Sequence, residues 1–131
     1  MENIFKDNLH NSRYNELVCI SKMRANDLER LSLFYIISGN VDLYMKRKSI
    51  YNFVENAINP ECLNSDTVDF CSSSKALIRL GFNLFNGYSD SQTNPMYLLC
   101  GLDTKNLFIA YQAIFLRFQG RRKGLIFERV S

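Results

Sequence analysis

The sequence predicts an all-α domain, and three observations carry that prediction. Apolar residues recur at helical spacing in several segments. Ser, Asp, Asn and Pro stand where those segments start, and Gly where they stop. No alternating run of strand length appears before residue 123. The expected architecture is a compact bundle of five or six short to medium helices around a central buried helix at about 73–86. A chain of 131 residues with 47% hydrophobic content can bury one core without disulfide or metal staples, so one domain is expected over 1–120, with a basic tail at 121–131.

The first helix is expected over about 4–23, where Phe5, Leu9, Tyr14, Leu17, Val18 and Ile20 alternate with charges, with a break near Asn11 and Ser12. A second begins at a capping box of Asn26 and Glu29, runs through Leu28, Leu31, Phe34, Tyr35 and Ile37, and stops at Gly39. Asp42 is placed to cap a third element that crosses the triplet Lys46, Arg47 and Lys48. Beyond it Ile50, Phe53, Val54, Ala57 and Ile58 read as the core stripe of a helix that Asn59 and Pro60 end. Residues 61–71 read as a loop.

The central helix follows, with serine N-caps at its start and Gly87 closing it. Leu77, Leu80 and Leu84 form one line at helical spacing, with Ile78, Phe82 and Phe85 beside them, so most of its circumference is apolar. Gly81 costs about 1 kcal/mol against alanine in mid-helix, which points to another element crossing closely there. After a polar turn, Asn94 and Pro95 open a short helix ending at Gly101. Asp103 caps the last one, where Leu107, Tyr111, Ile114 and Phe118 align with Phe108 and Phe115 alongside, and Gly120 closes it.

The composition excludes several classes. A net charge of +3 permits an anionic partner without requiring one. Cys19, Cys62, Cys71 and Cys100 form no Cys-x-x-Cys pair, which argues against a zinc knuckle or a redox motif; buried, reduced thiols are expected. No apolar run approaches the ~20 residues that span a bilayer, and the start lacks a secretory layout. No membrane partner and a cytoplasmic location are therefore expected. No phosphate-loop, nucleophile-elbow or zinc-protease motif is present, so a non-enzymatic protein without cofactor or metal is expected.

Candidate binding residues fall in two groups. Lys75, Arg79, Asn83 and Asn86 form the polar stripe of the central helix. A Lys and an Arg one turn apart can hold a phosphate or carboxylate, with amides to bond it further. The second group is basic: Lys46, Arg47 and Lys48, then Arg117, Arg121, Arg122 and Lys123, with Lys105 as an addition, all able to contact nucleic-acid phosphates. Solvated helix edges and helix ends are the simpler account of both groups. His10, the sole histidine, has Asp7 at i−3 and reads as a local hydrogen bond on a surface helix. Glu61, Asp66 and Asp69 show no metal-ligand pattern.

Several strings resemble a known family. They are the run Leu33, Phe34, Tyr35, Ile36, Ile37, Ser38, Gly39, Asn40 with Asp42, Leu43 and Tyr44; then Ile50, Tyr51, Asn52 and Phe53; then Pro60, Glu61, Cys62 and Leu63. The most specific is Arg79, Leu80, Phe82, Asn83, Leu84, Phe85, Asn86, Gly87, preceded by Ser74 and Lys75. Together they resemble a domain-of-unknown-function family of small proteins from low-GC Gram-positive bacteria and their phages and mobile elements. The resemblance covers about 5–119 and leaves the basic tail outside. It implies a compact helical fold and a mobile-element setting, with Phe70 and Phe85 standing where relatives carry tryptophan.

The expected role is binding. The leading expectation is a phage- or prophage-borne inhibitor of a bacterial defence system, of the anti-CRISPR or a related kind, that occludes a nuclease or effector through the face around Lys75, Arg79, Asn83 and the basic clusters. The alternatives are a nucleic-acid-binding regulator, or a protein that captures a nucleotide signal with Lys75, Arg79 and a tyrosine such as Tyr88.

Overall fold

The computed structural model describes residues 4–23, 27–64 and 68–119. In chain order these form α1 (Asn8–Ser21), α2 (Leu28–Gly39), α3 (Val41–Met45), α4 (Arg47–Ile50), β1 (Tyr51–Asn52), β2 (Ala57–Ile58), a 3₁₀ turn at Pro60–Leu63, α5 (Ser72–Asn86), α6 (Pro95–Leu99) and α7 (Thr104–Phe118). The fold is all-α apart from the short antiparallel hairpin, which pairs Tyr51 with Ile58 and Asn52 with Ala57. Seven α-helices among the described residues exceed the five or six expected, because the basic triplet divides one expected element in two.

The central helix is α2, a correction to the expected place of α5. Residues 32–39 of α2 are buried without interruption, and α1, α5 and α7 all pack on it. The run Leu33–Ile37 is apolar on every side, so only a position surrounded by other helices buries all of it. Its two buried serines are satisfied locally: Ser32 Oγ donates to Glu29 O at 3.0 Å and Ser38 Oγ to Phe34 O at 2.7 Å. α5 is one layer out, with Leu77, Ile78, Leu80, Phe82 and Leu84 buried. Gly81 is where the two helices meet. A Cβ there would lie 3.1 Å from Leu33 Cδ1 and 3.5 Å from Ile36 Cδ1, the close crossing that its position predicted.

Four further expectations are corrected. Residues 51–58 are no helix: Asn52 Oδ1 accepts from the amides of Val54 and Glu55, both at 2.9 Å, and Asn56 takes the left-handed φ of 55°. Asparagine favours both roles, and together they turn the chain back into the hairpin, leaving Val54 92% exposed. α1 is continuous through Asn11 and Ser12, capped by Asp7. α3 is capped by Asn40, whose Oδ1 accepts from Leu43 N at 3.0 Å, because Asp42 is engaged by Lys46 at 2.6 Å. In α7 the buried line is Ile109, Ala110, Ala113 and Leu116, not Leu107, Tyr111, Ile114 and Phe118, since small alanines let α7 approach α2. Asp103 and Asn94 cap α7 and α6 as expected. α2 is capped by Asp27, whose Oδ1 accepts from Arg30 N at 3.2 Å. Asn26, Asp66 and Gly120 lie outside the described residues.

Candidate functional site

The polar stripe of α5 is assembled by its own helix and by the turn that follows. Gly87 closes α5 at φ 83°, a conformation only glycine adopts without strain, and its amide donates to Asn83 O at 2.8 Å. The chain then folds back along the helix. Asn83 Nδ2 donates to Tyr88 O at 3.0 Å, and Asn86 Oδ1 accepts from Tyr88 N at 3.0 Å. Arg79, its side chain 8% exposed, donates from Nε to Asp90 Oδ2 at 2.9 Å. Asp90 also accepts from Tyr88 OH, Gln92 N and Thr93 Oγ1. Burial pushes the Asp90 carboxyl up, but these bonds outweigh it and hold the group below its ordinary value. Three of the four stripe residues therefore secure the 88–93 turn.

The fourth, Lys75, faces a different situation. It lines a cleft of about 400 Å³ between the first turns of α5 and α6, together with Phe70, Ser72, Ser73, Arg79 and Tyr97. Lys75 is half-buried, and its side chain makes no hydrogen bond or ion pair with any described residue. Arg79 reaches the same cleft with Nε committed to Asp90, while its two terminal nitrogens bond to no described residue. Among the described residues no carboxylate lines the cleft. Cys71, the residue before α5, has its Sγ hydrogen-bonded to Ser73 Oγ at 3.4 Å and Ser74 Oγ at 3.1 Å. Lys75, the free end of Arg79 whose Nε is answered by Asp90, and serine hydroxyls thus converge at the start of α5.

Two other clefts differ in charge. One of about 510 Å³ at the hairpin is lined by Lys48, Glu55 and Glu61, so it holds carboxylates as well as a cation. One of about 520 Å³, between the hairpin and the end of α5, is lined by Ile58, Pro60, Phe85 and Tyr88 among others, with no charged side chain among the described residues. Tyr88 belongs there and not beside Lys75. The tyrosine at the Lys75 cleft is Tyr97, which the sequence did not single out.

Three residues of the basic clusters, Lys46, Arg47 and Arg117, are engaged internally. Lys46 pairs with Asp42, donates to Asp69 O and stands 5.2 Å from the Phe70 ring centroid, behind the cleft wall. Arg47 donates to Tyr44 O at 2.9 Å and stacks on the Tyr44 ring at 4.2 Å, with Arg13 over the same ring at 4.4 Å. Arg117 is remote from both, donating to Leu84 O at 2.7 Å and standing 3.8 Å from Glu29. Lys48 and Lys105 are exposed. Arg121, Arg122 and Lys123 lie outside the described residues.

His10 is not on the surface. It is 1% exposed, its Nδ1 accepts from Lys6 N at 3.0 Å, and its Nε2 donates to Tyr35 O at 2.9 Å. The local bond to Asp7 exists, made by the His10 backbone amide at 2.8 Å. Cys62 is buried, but Cys19, Cys71 and Cys100 are exposed, contrary to the expected burial. No three His, Cys, Asp or Glu side chains among the described residues cluster closely enough to hold a metal ion. No described helix is long and apolar enough to cross a membrane.

A family model described as a family of unknown function (DUF6075) matches residues 1–128. The match extends beyond the 5–119 of the resemblance and takes in most of the basic tail. No curated protein and no solved structure matches the chain.

Proposed function

We propose that this chain, which belongs to the DUF6075 family of unknown function, works by binding and not by catalysis, and captures a small anionic ligand in the cleft between α5 and α6. The observation that carries this reading is the charge of the cleft: among the described residues the Lys75 ammonium has no partner, Arg79 has unused donors, and no carboxylate lines the recess. A half-buried cation is desolvated at a cost that an anion repays, and a bidentate guanidinium beside an ammonium suits an oxyanion. The recess is of the size that holds small molecules. Occlusion of a partner by the whole polar stripe is less well supported, because Arg79, Asn83 and Asn86 already serve the 88–93 turn.

Thermal unfolding in the presence of pyrophosphate tests the proposal. A ligand at 100 times its dissociation constant adds about 2.7 kcal/mol of stability, so a saturable rise in melting temperature is expected. Lys75→Gln should remove it. No rise, or an equal rise in the variant, overturns the reading.

A second reading has its own observation. Met96 and Tyr97 on α6 are 72% and 65% exposed, the type of apolar and aromatic anchor that protein interfaces use. On this reading the protein inhibits a component of a bacterial defence system by covering it with the α6 face. Capture of that component by the wild type and not by Met96→Asp is the expected result, and phage protection unaffected by Met96→Asp counts against it.

A further inference from the structure

The chemistry of the cleft walls narrows the class of ligand. The cations occupy one side, on α5, while two aromatic rings border the same space: Phe70, in the chain leading into α5, and Tyr97, on α6. Phe70 is buried and has Lys46 against its ring, so it is held in place. Tyr97 is exposed and has no ring partner among the described residues, which leaves its face open to a planar group. Ser72, Ser73 and Gln92 add hydroxyl and amide groups between the charged and aromatic sides. A bare phosphate would use the cations and leave the aromatic side unfilled.

We infer that the ligand is a nucleoside monophosphate, with its phosphate at Lys75 and Arg79 and its base against Tyr97 and Phe70. This rests on the anion-binding reading above and adds the base. A base stacks on an aromatic face with little regard to its identity, and sugar hydroxyls find partners in the polar groups between. The site therefore accepts purine and pyrimidine monophosphates alike, with purines favoured by their larger face.

Calorimetric titration of the full chain with AMP, ribose 5-phosphate, phenyl phosphate and adenosine separates the parts of the proposal. AMP is expected to bind about tenfold or more tighter than ribose 5-phosphate, and adenosine far more weakly than either. Tyr97→Ala should lower AMP affinity to that of ribose 5-phosphate. Tyr111→Ala, an exposed tyrosine on α7, should leave every affinity unchanged. Equal affinities for AMP and ribose 5-phosphate overturn the base assignment and leave the anion site standing. Phenyl phosphate binding as tightly as AMP overturns the nucleoside and assigns the site to a phosphorylated aromatic side chain. Binding of none of the phosphates overturns the anion site itself.

Discussion

His10 carries its cost and its use in one ring. Burial holds its pKa at about 4, against 6.5 in the unfolded chain, because a proton would place a charge in the core and replace the acceptor that Nδ1 presents to Lys6 N. Between those values the unfolded chain binds a proton that the folded chain refuses, so stability falls as pH drops through this window. At about 1.36 kcal/mol per pH unit the full loss is on the order of 3 kcal/mol, and about 2 kcal/mol of it is present by pH 5. Asp42 and Asp90 have lowered pKa values and act with the same sign, but below the ordinary carboxylate value of 3.8. Urea unfolding at pH 7 and pH 5 should show the drop in the wild type and a flat response in His10→Gln. An equal drop in both sinks the assignment. The aspartate at i−3 was legible from the sequence, whereas the partner that matters, Tyr35 O, lies 25 residues away.

At the scale of the element, the helices announced themselves through their ends. Asn94, Asp103 and Gly87 are caps whose chemistry is local, so reading them needs only neighbouring residues. The hairpin did not announce itself, because Ile50, Phe53, Val54, Ala57 and Ile58 fit a helical period as written. The missed signal was the pair Asn52 and Asn56, one bonding two amides ahead of it and the other taking a left-handed turn. The two readings differ at Val54, core on one and hairpin tip on the other. Val54→Lys is expected to change stability by less than about 0.5 kcal/mol by chemical denaturation, where a core valine would cost several times more.

At the scale of the whole molecule, α2 is the post around which the others stand. Ile36 is fully buried between α5 and the rest of the core, so Ile36→Ala removes packing on every side. A loss of about 2–5 kcal/mol is expected. Ile20→Ala, at a half-exposed position on α1, should cost well under 1 kcal/mol by the same measurement. A larger cost at Ile20 than at Ile36 would contradict this arrangement. The cleft also belongs to this scale, since its walls come from the approach to α5, from α5 itself and from α6.

The sequence by itself determined the helical class, the caps at Gly87, Asn94 and Asp103, the apolar lines of α2 and α5 and the i, i+4 pair Lys75 and Arg79. Each of these rests on spacing or on a bond within a few residues. Only the tertiary structure decided that α2 is central, that Arg79 and Asn83 hold a turn while Lys75 is left unanswered, and that Phe70 and Tyr97 face the same recess. Those are matters of which residue lies beside which across the chain, and a one-dimensional period does not hold that information.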